Sequence, residues 1–81
     1  MLVHVLGTST NMSKLVKIAN KYKLKIIEDT CESLGAEYNN KKLGTIGNFG
    51  TYSFYYSHQI TSGEGGMVVC ENLQDYNILK T

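Results

Sequence analysis

The chain has 81 residues, enough for one small domain, and a hydrophobic core of that size is usually marginal. Eight basic and seven acidic residues give a formal net charge of +1 without a basic stripe, so nucleic acid is not an expected partner. The two cysteines and two histidines match no zinc or iron–sulfur spacing, and no apolar run approaches membrane-spanning length, so we expect a cytoplasmic protein without a membrane partner.

The first part of the chain predicts a β–α–β unit. Apolar runs at residues 2–6 and 24–27 predict two buried strands. Between them, apolar residues repeat at helical spacing from Met12 to Tyr22, and a polar segment that ends at Asn11 can cap this helix. Because a strand, a helix and a strand of these lengths form a crossover connection, we expect an α/β fold with a mainly parallel sheet.

The rest of the chain predicts short elements between turns and loops. In chain order these are a helical turn at 30–34, a hairpin of residues 36–38 and 42–43 around Asn39-Asn40, a glycine-rich loop at 44–49, strands at 51–56 and 67–70, and a helix at 73–79. The spacing of Gly44, Gly47 and Gly50 only superficially resembles a phosphate-binding loop, because it lacks the lysine and no helix follows it directly. Flexibility is the preferred interpretation of this loop.

Asp29 is the first candidate functional residue. It lies at the carboxyl end of the second predicted strand, and ligands of parallel sheets bind beyond the carboxyl ends of strands. An aspartate at this position can equally cap the turn that follows, and position alone does not separate the two roles. Ser57 and His58 are neighbours, but without a G-x-S-x-G elbow they do not indicate a serine hydrolase.

The motifs taken together are more specific than any one of them. Asp29 is followed by the glycine-rich loop, then Ser53-Phe54, then His58, then Gly-Glu-Gly-Gly-Met-Val-Val at residues 63–69. This order and spacing closely resemble the DegT/StrS family of nucleotide-sugar aminotransferases, which have the fold type I architecture of PLP-dependent transferases. The resemblance runs over nearly all 81 residues. It implies that residues 1–81 are a fragment of the large cofactor-binding domain, without the small domain.

The resemblance assigns a role to each matching residue. Asp29 matches the aspartate that pairs with the pyridinium nitrogen of PLP, and Ser53 matches the serine that contacts the cofactor phosphate. Glu32 stands where the aminotransferases tend to carry glutamine or histidine, and we group it with the cofactor contacts. His58 stands where most of the family has the lysine that binds PLP covalently.

A histidine at this position resembles the 3-dehydratases acting on CDP-4-keto-6-deoxyglucose and GDP-4-keto-6-deoxymannose, and the flanking residues 28–35 and 53–61 also fit that branch. The branch implies PLP or PMP held non-covalently, with His58 as acid and base. It implies a nucleotide-linked 4-keto-6-deoxysugar as substrate, a role in deoxysugar or lipopolysaccharide biosynthesis, and a homodimer. Some members add an iron–sulfur cluster, for which Cys31 and Cys70 supply no motif.

Two alternatives remain open. The chain could belong to a sugar aminotransferase that has lost its lysine, or it could be a truncated, non-catalytic α/β fragment. Under the dehydratase interpretation as well, we expect the isolated chain to be inactive, because the family's active sites resemble dimer-interface sites and most of the family sequence is absent.

Overall fold

A computed structural model describes residues 1–5, 7, 9–55 and 63–81 of the chain. Within these ranges the chain forms two helices and six short strands. In chain order they are β1 (Leu2–Val3), α1 (Met12–Lys21), β2 (Ile27–Asp29), β3 (Glu37–Tyr38), β4 (Lys41–Lys42), β5 (Phe49–Ser53), β6 (Gly66–Cys70) and α2 (Leu73–Lys80).

Four of the strands form one mainly parallel sheet in the order β1-β2-β5-β6. β1, β2 and β5 are parallel, and α1 is the crossover between the first two. β6 pairs antiparallel with β5 along five residues, from Phe49 opposite Cys70 to Ser53 opposite Gly66. The predicted α/β class with a mainly parallel sheet is therefore confirmed.

Both helices begin at the capping residues that local sequence favours. The Asn11 side chain accepts a hydrogen bond from the Lys14 N–H, and Asn72 accepts one from the Asp75 N–H. The buried side of α1 carries Met12 and Ala19. In the part of the chain that the structure describes, no helix combines the length and apolar character needed to cross a membrane.

The predicted hairpin is also present. β3 and β4 pair antiparallel, and the two residues between them, Asn39 and Asn40, have φ angles of 49° and 66°. Two successive residues with positive φ are the requirement of a two-residue hairpin turn, and asparagine tolerates that conformation better than most residues. Tyr38 connects the hairpin to the start of α1 through its hydroxyl group, which lies 3.2 Å from Asn11 Oδ1.

The limits of the central strands differ from the prediction. The second strand was expected at 24–27, but it lies at Ile27–Asp29, because the Ile26 N–H donates to the Asn48 side chain (Oδ1, 2.9 Å) and not to a strand backbone. The Ile26 carbonyl oxygen accepts from the Asn48 N–H at 2.9 Å and from the Phe49 N–H at 3.2 Å. β5 correspondingly starts at Phe49, the partner of Ile27, and not at residue 51.

The two faces of the sheet differ in cover. Glu28 is in register with Leu2 and Gly50, and this covered face packs against α1 and the loop at residues 44–47. Asp29 is in register with Val3 and Thr51 on the opposite side. We call this second side the open face, since its apolar residues stay accessible in the described chain: Val3 is 50%, Val68 49% and Ile27 36% exposed.

Candidate functional site

The structure places Asp29 at the carboxyl end of β2, as predicted, and its register places it on the open face. Its Oδ1 accepts a hydrogen bond of 3.0 Å from the Cys31 N–H, so the carboxylate does cap the turn that follows. The group is only partly buried. Capping by one oxygen of a partly exposed carboxylate leaves room for a ligand contact, so both interpretations of Asp29 are compatible with this geometry.

Ser53 lies on the same face of the sheet as Asp29. Thr51 is the register partner of Asp29, and Ser53 follows it by two residues on β5. Because side chains alternate along a strand, Thr51 and Ser53 point to one side, about 7 Å apart along the strand. Ser53 Oγ accepts a hydrogen bond of 3.3 Å from the Tyr55 N–H. The fold thus brings the predicted nitrogen partner and phosphate contact to one surface.

The roles of the other two predicted site residues, Glu32 and His58, stay predictions. Glu32 lies in the turn after β2, partly buried, where its charge acts on Cys31. Its role as a cofactor contact stays a prediction. His58 lies outside the described residues, and its role also stays a prediction.

Glu28 is an important residue that sequence reasoning missed. Its side chain has an exposed fraction of 0%, and its carboxylate is surrounded by donors. Oε1 lies 2.9 Å from His4 Nε2 and 2.9 Å from the Gly44 nitrogen, while Oε2 lies 2.8 Å from the Ile46 nitrogen and 2.5 Å from the Gly47 nitrogen. The available signal was a second carboxylate next to Asp29, directly after the apolar run at 24–27. Two adjacent strand residues face opposite sides of the sheet, and a carboxylate on the buried side requires donors from elsewhere in the chain.

The glycine-rich loop has a role other than flexibility. Its backbone N–H groups bind the protein's own Glu28 carboxylate, in the manner in which such loops elsewhere bind an external anion. Gly50 is required for this arrangement, because a Cβ atom there would overlap the Gly44 carbonyl group. At Gly44, where φ is +97°, a Cβ atom would overlap the Tyr52 hydroxyl group. The preferred interpretation from sequence was therefore wrong.

The hydrogen bonds to Glu28 also control its ionisation. Burial by itself raises the pKa of the Glu28 carboxyl group, but the backbone donors and His4 outweigh burial and lower that pKa below its ordinary value of 4.5. A folded-state pKa below the unfolded one means that ionised Glu28 stabilises the fold above about pH 4.5. This contribution is lost as the pH falls through the folded-state value.

We therefore expect acid to weaken the fold partly through Glu28. The protein to be measured is the polypeptide encoded by the reading frame that contains this chain, called the encoded polypeptide from here on. Its midpoint of unfolding in urea should be measured at several values between about pH 7 and about pH 3. The midpoint of the Glu28→Gln variant should fall less over this range, because its residue 28 has no proton to take up. An equal acid-induced loss in both proteins would contradict this assignment.

The surroundings of Cys31 favour the protonated form of its thiol group. Partial burial raises the pKa of its thiol group, and hydrogen bonding and charge from Asp29, with the charge of Glu32, raise it further. The thiolate is the nucleophile, so we expect slow alkylation of Cys31 by iodoacetamide near neutral pH. Asp29→Asn should speed this reaction severalfold, as followed by peptide mass spectrometry. The rate at Cys70, on β6, is the internal control, and an unchanged Cys31 rate would contradict the charge effect.

A mainly parallel α/β sheet with a carboxylate and a hydroxyl group on one face, at a strand's carboxyl end, is the arrangement of an α/β ligand-binding enzyme domain. Among the described residues, no three His, Cys, Asp or Glu side chains are grouped so that they could hold a metal ion. Residues 1–80 match the model of the DegT/DnrJ/EryC1/StrS aminotransferase family, and the chain belongs to this family.

Comparison with individual proteins gives the same result. The chain is 50% identical over 68 residues to the lipopolysaccharide biosynthesis protein RfbH of Salmonella typhimurium. The matched residues cover 84% of this chain and 16% of that protein. The chain is 43% identical over 77 residues to GDP-4-keto-6-deoxy-D-mannose 3-dehydratase of Escherichia coli O55:H7, covering 95% and 20%.

A solved structure shows the same fold at high similarity. E. coli GDP-4-keto-6-deoxy-D-mannose-3-dehydratase with bound hydrated PLP matches with a TM-score of 0.88 and 42% identity, covering 98% of this chain and 21% of that one. The predicted family and the fold of its PLP-dependent members are therefore confirmed. The chain spans about a fifth or less of the length of these relatives.

Proposed function

We propose that the chain is part of the large cofactor-binding domain of a 3-dehydratase acting on a nucleotide-linked 4-keto-6-deoxysugar. The observation that carries this proposal is that Asp29 and Ser53 share the open face in a chain of this family. The names of two relatives, one a 3-dehydratase and one a lipopolysaccharide biosynthesis protein, support the reaction and the setting. Cytoplasmic location and a homodimeric enzyme complete the proposal.

The side chains present fit PLP or PMP. A partly exposed carboxylate at the end of β2 suits a protonated ring nitrogen, and a hydroxyl group further along the same face suits a phosphate oxygen. The small side chain of Thr51 lies beside Asp29 and two residues before Ser53 on the open face, where a flat ring can pack. When bound, the cofactor supplies an electron sink for cleavage of bonds next to the substrate's keto group.

Each residue has a distinct task in this proposal. Asp29 stabilises the proton on the ring nitrogen, and Ser53 donates a hydrogen bond to the phosphate and fixes the cofactor's orientation. His58 would accept a proton at the cofactor's C4′ position and pass a proton to the hydroxyl group at sugar C3, which would leave as water, since an imidazole titrates near neutral pH. Glu32 is proposed as a further contact near the cofactor.

The sequence also favours non-covalent binding of the cofactor. Between Leu43 and Leu79 the chain contains no lysine, and histidine cannot form the covalent bond that a lysine amine makes with PLP. The family description, which names aminotransferases, favours the alternative of an aminotransferase without its lysine. These functions differ in product: dehydration removes the hydroxyl group at C3, whereas transamination places an amine at C4.

Product analysis of the encoded polypeptide tests the proposal. We expect PMP binding and loss of the C3 hydroxyl group from a GDP- or CDP-linked 4-keto-6-deoxysugar, followed by mass spectrometry. Asp29→Asn should lower kcat by about a hundredfold or more, whereas Glu37→Gln, at an exposed ion pair with Lys42, should not. Formation of an aminosugar by the wild-type protein would favour the aminotransferase, and a lack of PMP binding would favour the non-catalytic alternative.

A further inference from the structure

Asp29 and its neighbour Glu28 point to opposite faces of the sheet, and Glu28 is the more tightly held of the two. Asp29 is partly exposed on the open face, whereas Glu28 is fully buried against the glycine-rich loop. Because adjacent strand residues share one peptide unit, a rotation or slip at Glu28 also turns Asp29. The direction of the Asp29 carboxylate therefore depends on the contacts that hold Glu28.

His4 joins the chain segments around both carboxylates. Its Nε2 lies 2.9 Å from Glu28 Oε1, and its backbone N–H donates to the Asp29 carbonyl oxygen at 2.9 Å. Its own carbonyl oxygen accepts a hydrogen bond of 2.8 Å from Ser33 Oγ, in the turn after β2. One residue thus contacts Asp29, the residue before it and the turn after it.

The His4 ring contacts Glu28 through one nitrogen. Nε2 faces a carboxylate oxygen, while the buried Nδ1 has no hydrogen-bond partner among the described residues. Because an ionised carboxylate only accepts hydrogen bonds, Nε2 carries the proton of this contact. His4 is therefore a hydrogen-bond donor to Glu28.

The turn after β2 transmits the same restraint to the Asp29 side chain. The Cys31 N–H donates to Asp29 Oδ1, and Thr30 donates to a β5 carbonyl oxygen through both its N–H, at 2.9 Å, and its hydroxyl group, at 2.7 Å. Ser33, which is 1% exposed, binds the other end of this turn to His4. The turn that orients the Asp29 carboxylate is thus anchored to β5 and to His4.

We propose that His4 and Glu28 are positioning residues that direct the Asp29 carboxylate toward the ring nitrogen of the cofactor. This inference rests on the proposed function. Neither residue touches the cofactor, since both side chains are buried on the covered face. They act through the main chain of Asp29 and through the turn that binds its carboxylate.

Two substitutions at His4 in the encoded polypeptide separate positioning from stability. His4→Gln keeps an amide donor near the place of Nε2, whereas His4→Leu has a similar size without a donor. A displaced reacting group can cost about a hundredfold in rate, so we expect His4→Leu to lower kcat by about tenfold to hundredfold with a nearly unchanged KM. The absorption bands of bound PMP should change in His4→Leu, and His4→Gln should restore both properties.

The outcomes distinguish this inference from the proposed function. Wild-type kcat and a wild-type PMP spectrum in a folded His4→Leu protein, checked by circular dichroism, overturn the positioning role alone. If His4→Leu does not fold, Ser33→Ala carries the same test with a smaller effect, because it removes the bond to the His4 carbonyl oxygen. A wild-type polypeptide that binds no PMP overturns the proposed function and this inference together.

Discussion

Replacing Glu28 with glutamine is expected to lower the free energy of unfolding by about 3 kcal/mol. The Glu28 carboxylate takes four donors on two oxygens, with no exposed surface. Glutamine offers one oxygen, and its NH₂ group would face N–H donors that already occupy that side. Each buried donor left without an acceptor costs about 1–3 kcal/mol. The loss is a large part of the ~5–15 kcal/mol that stabilises a typical domain.

Local measurements on the same variant identify where the loss occurs. The amide hydrogens of Gly44, Ile46 and Gly47 should exchange faster with solvent in Glu28→Gln, because their acceptor is the replaced group. Glu37→Gln is the matched control. It removes the same charge from an exposed ion pair, and such pairs contribute no more than about 1 kcal/mol.

Amide exchange in the glycine-rich loop is expected to be faster in Glu28→Gln and unchanged in Glu37→Gln. Unchanged exchange at residues 44–47 in Glu28→Gln would show that other contacts hold this loop. An equal loss of stability in Glu37→Gln would show that the effect follows net charge and not the buried hydrogen bonds. Either result would remove the reason for treating Glu28 as a central contact of the fold.

Local sequence patterns were sufficient for the helices and the hairpin of this fold. The helix predicted at 12–22 lies at Met12–Lys21, since its apolar spacing and its Asn11 cap are both local features. The hairpin turn follows from the two asparagines themselves. The start of β2 could not be predicted in this way. It depends on Asn48, 22 residues away, whose side-chain oxygen accepts the hydrogen bond of the Ile26 N–H.

The candidate site shows the same division. Asp29 and Ser53 could be found from their position and from the order of motifs, and the register of β2 and β5 places them on one face. Glu28 was missed because the contribution of its carboxylate to the fold depends on donors from two distant segments, His4 and the glycine-rich loop. Sequence shows that glycines permit a sharp turn, but only the folded chain shows which acceptor their N–H groups face.

Replacing His58 with lysine in the encoded polypeptide is expected to replace dehydration of the sugar by amine transfer. A lysine amine can bond covalently to PLP, which an imidazole cannot do. After borohydride reduction, mass spectrometry should find PLP attached to residue 58 of His58→Lys and not of the wild-type protein. Under the proposed function, dehydration at sugar C3 should fall by about a hundredfold or more, because the acid–base role proposed for His58 contributes about 10²–10⁴ in rate.

A third protein separates loss of the histidine from gain of the lysine. His58→Gln has neither an acid–base group nor an amine, so it should lose dehydration without gaining covalent PLP or glutamate-dependent amine transfer. If His58→Gln still dehydrates the sugar at the wild-type rate, another group moves the proton, and the role proposed for His58 is wrong. If His58→Lys gains amine transfer, and adding Asp29→Asn to that variant abolishes it, then dehydration and amine transfer depend on the same carboxylate. The residue at position 58 would then select between two reactions on one cofactor-binding surface.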